Sequence, residues 1–391
     1  MVKRTLIDRT PEPRRVPDAG LTEVASGNPT ACLGALPPPH QPRGRGARSN
    51  VTGRYETRSH EIFDDGWTDG DPVPPQLRTV TIKDSSRTIV TTNNSPDISF
   101  SHSINPYRGC EHGCVYCYAR PSHAYWGYSP GLDFESVIFI KPEAPALLEK
   151  LFLKPRYRPE PIVIGANTDP YQPRERELQT TRELLKVFAR FNHPVSFITK
   201  SALCLRDLDI LAPMAAKGLV RAAVSITTLD RKLARDMEPR AATPAKRLDA
   251  VRGLTEAGIP VTVMAAPMIP ALNDRELEAI LDASAEAGAT SAGYVLLRLP
   301  LEIKDLFKEW LATTRPDSAS HVMSLIRQTR GGQEYDASWG KRGRGDGPYA
   351  KLIAARFRKA VSRLGLNRPA PGLRVDLFER PLGTATQASL F

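Results

Sequence analysis

Between about residues 97 and 300, short apolar segments alternate with segments of helical period, and this alternation limits the fold more than any other feature. The apolar segments are rich in β-branched residues, as the buried strands of parallel sheets are. They lie at 97–104, 161–168, 194–200, 219–226, 260–267 and 291–297. Six strands with helical connections predict an α/β fold with an open parallel sheet.

The connecting segments carry helix start and stop signals. Thr243 is predicted to cap a helix that ends at Gly258, and Asn273 or Asp274 is predicted to cap the next helix. Such punctuation supports helices between the strands.

Polar residues follow three of the predicted strands. Each of them alone is typical of an ordinary turn or cap. In barrels of parallel strands, however, the ligand site lies at the carboxyl ends of the strands. Their shared position therefore favours a site formed by Asn167, Thr168, Asp169, Thr199, Lys200, Ser225 and Thr227.

The segment "RGCEHGCVYCYAR", residues 108–120, holds three of the five cysteines. Cys32 and Cys204 are distant in sequence, the total is odd, and the N-terminus lacks the apolar run of a secretory signal. Disulfides therefore fit poorly, and clustered thiols in an intracellular chain usually bind metal or take part in chemistry.

Two metal centres remain open for Cys110, Cys114 and Cys117. Structural zinc needs a fourth ligand, which His102 or His112 could supply, but no second pair of ligands follows. An iron–sulfur cluster with three cysteine ligands would leave one iron without a protein ligand, free to bind another molecule.

The C-x3-C-x2-C spacing, with Tyr116 before the last cysteine, resembles the signature of the radical S-adenosylmethionine (SAM) superfamily. The resemblance implies that the three cysteines hold a [4Fe-4S] cluster whose open iron chelates SAM. It also implies a partial (β/α)6 barrel, which agrees with the six predicted strands.

Further motifs resemble the branch of this superfamily that contains spore photoproduct lyase and the DNA-repair-photolyase-like proteins. They are "TDPYQPRERELQTTR", "ITKSALCLRDLDIL", "SITTLD" and "MEPRAATPAKRLDAVRGLTEAGIPVTVMAAPMIP", and the likeness covers roughly residues 100 to 300. The resemblance implies that Lys200 pairs with the SAM carboxylate and that Ser225 hydrogen-bonds the ribose or the carboxylate. It places Thr168 near the SAM amino group and Tyr116 against the adenine, and Asn167 is a further candidate for binding SAM.

One position departs from that branch. Spore photoproduct lyase has a hydrogen-donating cysteine near the end of the second strand, where this chain has Ala166. Cys204 follows the third strand and is a candidate catalytic residue if it faces the barrel mouth, although free cysteines are more often small buried apolar residues.

The chain divides into four predicted parts. Residues 1–60 form a basic tail rich in Pro, Gly and Arg, for which the composition predicts disorder. A β-rich extension at 61–97 precedes the radical SAM core at 98–300, and a mainly helical basic extension occupies 301–391.

The net charge of +11 resides in these extensions. Residues 315–368 hold twelve Lys and Arg against four Asp and Glu. Within them, Lys341, Arg342 and Arg344 lie among aromatic residues. Such a segment suits nucleic acid through phosphate contacts and stacking, or it forms a lid on the barrel mouth with solvated charges.

The sequence thus predicts a cytoplasmic radical SAM enzyme, with no membrane span. The resemblance implies reductive cleavage of SAM to a 5′-deoxyadenosyl radical, with an electron donor such as flavodoxin or ferredoxin. The substrate is predicted to be a nucleic-acid lesion or base. The alternatives are a peptide or protein substrate, and a non-catalytic, zinc-stabilised protein that binds nucleic acid.

Overall fold

The computed structural model describes residues 44–56, 77–368 and 372–381. Cys32 and most of the predicted tail at 1–60 lie outside the described residues. No described helix combines the length and the apolar character that a membrane crossing requires.

The strands of the described chain are short. They are β1 (Val80–Lys83), β2 (Val90–Thr92), β3 (His102–Ile104), β4 (Tyr107–Arg108), β5 (Val137–Ile140), β6 (Ile162–Ile164), β7 (Val195–Thr199), β8 (Val220–Ser225), β9 (Val261–Met268) and β10 (Ser291–Leu296).

The helices of the described chain mostly follow the strands of the predicted core. They are α1 (Asp133–Ser136), α2 (Ala144–Phe152), α3 (Glu175–Leu178), α4 (Thr180–Arg190), α5 (Leu208–Ala216), α6 (Arg231–Met237), α7 (Pro244–Glu256), α8 (Leu277–Glu286), α9 (Ile303–Thr314), α10 (Pro316–Gln328) and α11 (Gly347–Leu364). Short 3₁₀ helices occupy Arg120–Trp126, Ala202–Asp207 and Asp274–Glu276.

The larger sheet has seven strands among the described residues, in the order β10-β9-β8-β7-β6-β3-β2. The strands β3 and β6 to β10 are parallel, and only the edge strand β2 runs antiparallel to its neighbour. This arrangement confirms the predicted partial (β/α)6 barrel. Because the six strands are parallel, their carboxyl ends meet at one edge of the sheet.

The core lies between this sheet and the helices outside it. Leu184 and Phe188 of α4, Val251 of α7 and Ile280 of α8 are fully buried in it. Along β7, buried and half-buried residues alternate, as the two faces of a strand do. The buried residues Val195 and Phe197 belong to the main hydrophobic core.

One of the two predicted helix caps is present. Thr243 accepts a hydrogen bond from the Lys246 backbone N–H (3.5 Å) at the start of α7. At the second predicted cap, Asn273 precedes the 3₁₀ helix Asp274–Glu276, which continues into α8, but the Asn273 side chain makes no capping hydrogen bond. The Asn273 side chain instead donates to the carbonyl of Thr227 (2.7 Å) and so holds the loop after β8.

A second, smaller sheet is formed by one strand that precedes β3 in the chain and two strands that lie between β3 and β6. Its order is β1-β5-β4, with β1 parallel and β4 antiparallel to β5. The prediction missed β5, and β4 leads directly into the cysteine segment.

Residues 44–56 differ from the tail that the composition predicts for them. Arg45 to Ala47 are buried, and the backbone N–H groups of Gly46 and Ala47 donate to the Glu135 carboxylate at 2.9 and 2.8 Å. A buried carboxylate needs such donors, which explains why a segment of low hydrophobicity is ordered here.

The C-terminal extension is mainly helical, as predicted. Its last helix, α11, packs on α8 through ion pairs of Arg356 with Glu278 (2.6 Å) and Arg363 with Asp282 (2.7 Å). These two arginines therefore join the C-terminal extension to a helix of the barrel.

Candidate active site

The three clustered cysteines lie on one loop that begins after β4. Gly109 and Gly113 have positive φ angles of 79° and 67°, a region that favours glycine. A Cβ atom at Gly113 would lie 2.7 Å from the Glu135 carboxylate, so the loop also needs glycine for space. Cys110 and Cys114 are buried, whereas Cys117 is half-buried.

Arg120 holds this cysteine loop through a hydrogen bond and an ion pair. Its Nε–H donates to the Cys114 carbonyl (2.9 Å), and its guanidinium pairs with Glu135. Both side chains of the ion pair are completely buried. Arg120 stands in the cysteine motif, but the sequence alone gives no sign of this role, because Glu135 follows it at no characteristic spacing.

The surroundings of the thiols suit a metal centre. Burial raises the pKa of Cys110, and Asp169 acts in the same direction. Burial also raises the pKa of Cys114, although the charge of Lys200 opposes this effect. Thiolates in such a setting need a positive partner, and a metal centre supplies one. The donor set therefore fits an iron–sulfur cluster.

The two histidines considered as zinc ligands have other partners. His102 Nδ1 lies 3.2 Å from Glu160, and His102 begins β3, at the end opposite the cysteine loop. His112 Nδ1 lies 3.4 Å from Asp169. Within the described ranges, no three His, Cys, Asp or Glu side chains are grouped so that they could hold one metal ion. A [4Fe-4S] cluster binds each thiolate through a different iron, so its ligands need not converge on one point.

The end of β6 lies against the start of the cysteine loop. The Thr168 hydroxyl donates to the Tyr107 carbonyl (2.7 Å). The backbone N–H groups of Asn167 and Thr168 both donate to the Asn105 side-chain oxygen. The Thr168 oxygen keeps its lone pairs as acceptors, which suits an ammonium group.

Asp169 joins the ends of two strands. Its carboxylate accepts from the Thr199 hydroxyl and from the Lys200 backbone N–H, both at 2.7 Å. Burial acts to raise the pKa of Asp169, but the charge of His112 and these hydrogen bonds lower it to about 2. The residue therefore stays ionised and fixes the backbone that presents Lys200.

Tyr116 brings the cysteine loop to the ends of β7 and β8. Its ring centroid lies 5.7 Å from Lys200 Nζ. Its hydroxyl lies 3.3 Å from Thr227 Oγ1, just beyond β8, and donates to Glu238. The register of β7 on β8 pairs Thr199 with Val224, so Lys200 and Ser225 are the next residues on the two neighbouring chains. The structure thus brings together most of the residues predicted for SAM.

Glu238 and Arg247 form a buried ion pair beneath these residues. The sequence motif contains both, but nothing in their spacing indicates that they pair.

Cys204 lies in the main hydrophobic core and not at the barrel mouth. Its side chain is fully buried, and its thiol donates to the Ser201 carbonyl (3.4 Å). Burial raises the pKa of Cys204 to about 12. These observations describe a small core residue and offer substrate no access to the thiol.

A cavity of about 590 Å³ opens beside the cysteine loop. Ala166 and Asn167 line it, so it adjoins the end of β6. Among the described residues that line it, none is acidic, whereas four are basic: Arg108, Lys141, Arg298 and Arg342.

The three arginines among these four basic residues each lie against an aromatic ring. The guanidinium carbons of Arg108, Arg298 and Arg342 lie 4.1, 4.9 and 4.5 Å from ring centroids. The rings belong to Trp126, Tyr118 and Trp339, all of which are exposed. The cavity rim is therefore both cationic and aromatic.

One member of the predicted basic loop, Arg342, lines the cavity. Arg342 pairs with Asp97 (2.5 Å), which lies between β2 and β3, and so connects the C-terminal extension to the N-terminal strands. Lys341 and Arg344 are exposed.

Fold and site together define an α/β-barrel enzyme with a three-cysteine loop at the carboxyl edge of its strands. The family model described as "Radical SAM superfamily" matches residues 104–283. The chain belongs to the radical SAM superfamily, and it is a radical SAM enzyme.

Two curated relatives extend this match. The uncharacterized protein Rv2578c of Mycobacterium tuberculosis is 35% identical over 237 residues, which cover 60% of this chain and 70% of that protein. The uncharacterized protein MJ0683 of Methanocaldococcus jannaschii is 30% identical over 215 residues, covering 55% of this chain and 76% of that protein.

Among solved structures, the fold is similar to that of spore photoproduct lyase complexed with dinucleoside spore photoproduct. The TM-score is 0.52 at 17% identity, covering 73% of this chain and 79% of that chain. This similarity supports the barrel architecture.

Proposed function

We propose that Cys110, Cys114 and Cys117 hold a [4Fe-4S] cluster at which the protein reductively cleaves SAM. The observation that carries this proposal is the meeting of the cysteine loop with two strand ends, where Tyr116 contacts Lys200 and Thr227. The proposal requires such a junction, because the cluster would be held by the cysteine loop and SAM would be bound by the strand ends.

When bound, such a cluster supplies one electron to SAM, which yields methionine and a 5′-deoxyadenosyl radical that abstracts hydrogen from the substrate. The side chains around it would bind and orient SAM. Lys200 would pair with the carboxylate, Ser225 would hydrogen-bond the ribose or the carboxylate, and Thr168 would accept from the amino group. Tyr116 would contact the adenine.

The cavity suggests the substrate class. Its cations would bind phosphates, and its exposed aromatic rings would stack on bases, which is how proteins hold single-stranded or extruded nucleotides. We therefore propose a nucleic-acid lesion or base as the substrate. Spore photoproduct lyase, which shares the fold, is also known in complex with a dinucleoside lesion.

The proposal stops short of the repair reaction of spore photoproduct lyase. Ala166 lines the cavity where the resemblance implies a cysteine in that enzyme, and Cys204 is buried in the core. In the described chain, no thiol lines the cavity, so the hydrogen-atom donor of that reaction has no counterpart there.

The experiment is anaerobic purification, reconstitution with iron and sulfide, and an assay of SAM cleavage with dithionite or flavodoxin as the reductant. We expect about four irons and four sulfides per chain, cleavage of SAM, and faster cleavage with damaged or modified oligonucleotides than without. Zinc without acid-labile sulfide would refute the proposal. Stimulation by peptides and not by nucleic acid would refute its substrate.

A further inference from the structure

The segment 237–242, which follows α6, is hydrogen-bonded to the cysteine loop. The Met237 carbonyl accepts from the Val115 backbone N–H (3.0 Å). Arg240 pairs with Glu111 (3.0 Å), a loop residue that is almost fully buried. The part of the loop that lies between the cysteines is therefore bonded to this segment.

The same segment holds the ends of β7 and β8. The Ala242 backbone N–H donates to the Lys200 carbonyl (3.3 Å). Arg247, which is 2% exposed, donates to the carbonyls of Ala242 (2.8 Å) and Ser225 (3.1 Å). The segment thus contacts the Lys200 backbone directly, and it contacts the Ser225 backbone through Arg247 of α7.

Glu238 lies at the centre of these contacts. Its carboxylate accepts hydrogen bonds from Tyr116 of the loop and from Thr227 beyond β8 (2.6 Å), and it pairs with Arg247 of α7. Its side chain is completely buried. One carboxylate therefore connects the cysteine loop, the end of β8 and α7, whose relative positions the proposed site depends on.

We propose that Glu238 is a positioning residue that fixes the Tyr116 ring, and with it the cysteine loop, relative to the strand ends that bind SAM. A buried ion pair adds little to stability compared with apolar residues of similar size, so stability alone does not explain it. A role in fixing the geometry of the site explains the buried ion pair better, because small displacements of reacting groups greatly lower the rate of a reaction. This inference rests on the proposed function.

The test compares Glu238→Gln with Glu135→Gln. Both replace a completely buried carboxylate that is paired with an arginine. Glu135 contacts the cysteine loop and residues 45–47 but not the strand ends, whereas Glu238 contacts the loop and a strand end. We therefore expect Glu135→Gln to lose iron and Glu238→Gln to keep it.

Three measurements on anaerobically reconstituted full-length protein separate these roles. They are the iron and sulfide content, the Kd for SAM by equilibrium dialysis, and the change that SAM causes in the electron paramagnetic resonance spectrum of the reduced cluster. In Glu238→Gln we expect wild-type iron, a Kd about tenfold higher, as for the loss of one charge-assisted hydrogen bond, and an altered SAM-dependent spectrum.

Wild-type SAM affinity and spectrum in Glu238→Gln would overturn the inference, and so would iron loss equal to that of Glu135→Gln. A wild-type protein that holds no iron and sulfide and binds no SAM would instead refute the proposed function.

A second variant tests the route through Tyr116. Tyr116→Phe removes only the hydroxyl that donates to Glu238. If Glu238 acts through the Tyr116 ring, the double variant that combines Tyr116→Phe with Glu238→Gln should bind SAM no more weakly than Glu238→Gln alone. Additive losses in the double variant would show that Glu238 does not act through Tyr116.

Discussion

The ammonium group of Lys200 lies 5.7 Å from the centroid of the Tyr116 ring, although the two residues are far apart in the chain. Tyr116 belongs to the cysteine loop, and Lys200 follows β7. Asp169 holds the Lys200 backbone, and Glu238 accepts from the Tyr116 hydroxyl. The proposed SAM site is therefore a junction held from both sides by carboxylates, of which Glu238 is completely buried and Asp169 is largely buried.

Lys200→Ala should spare the cluster and weaken SAM binding. The change removes the cation that would pair with the SAM carboxylate, a loss of about 2–5 kcal/mol when the remaining charge stays unpaired in a dry site. Iron content and the Kd for SAM measure the two effects. Lys246→Ala, an exposed lysine on α7, is the control and should match the wild type. Unchanged SAM affinity in Lys200→Ala would remove this residue from the site.

Replacing Cys110, Cys114 or Cys117 with Ala should abolish the full cluster, because no neighbouring side chain replaces the missing thiolate. Cys204→Ala is the matched control and should keep wild-type iron and sulfide, since that thiol lies in the core. Iron and sulfide analysis of the reconstituted proteins, together with their iron–sulfur charge-transfer absorbance, measures both results. A complete cluster in the triple variant would disprove the ligand assignment.

The barrel was predictable because its signal is local. Each of the six parallel strands is a short apolar segment between helical segments, and parallel strands carry their site at one edge. That rule is enough to bring Lys200 and Ser225 together. The cysteine spacing is equally local, and it identified the superfamily.

The supports of the site were not predictable, because they depend on pairs of residues with no characteristic spacing in the sequence. Arg120 with Glu135 and Glu238 with Arg247 become recognisable as pairs only when burial removes other partners. The burial of Cys204 was also not predictable from the sequence, since the 3₁₀ helix that contains this residue directs its thiol into the core.

Binding of anions in the cavity should weaken as pH rises through about 8. Burial lowers the pKa of Lys141 to about 8, with Arg108 acting in the same direction and Asp84 opposing it. Below that pH the amine is charged and attracts phosphate, and above it the amine is neutral. Titration of a single-stranded oligonucleotide between about pH 7 and 9 at constant low salt should show severalfold weaker binding at the upper end. Lys141→Gln should bind with little pH dependence, and an equal pH dependence in this variant would assign the effect to another group.

Replacing Arg298 and Arg342 with Gln should reduce the salt dependence of nucleic-acid binding. Both residues line the cavity, and the Nε of Arg298 has no hydrogen-bond partner in the described structure. If each arginine binds a phosphate, the slope of log K against log salt should fall by roughly 0.7 to 0.9 for each arginine replaced. Fluorescence anisotropy with an oligonucleotide over a range of salt concentrations measures this slope.

The control for this last experiment is Arg363→Gln on α11, an exposed arginine paired with Asp282 and not a member of the cavity lining. It should leave the slope unchanged, because it lies outside the cavity where nucleic acid is proposed to bind. SAM cleavage without substrate should persist in the double variant, because the proposed cofactor residues lie on the loop and the strand ends. If Arg342 instead belongs to a lid, the variant should change uncoupled SAM cleavage through solvent access and leave the slope as it is. A wild-type protein that binds no single- or double-stranded DNA or RNA at low salt would exclude the nucleic-acid substrate itself.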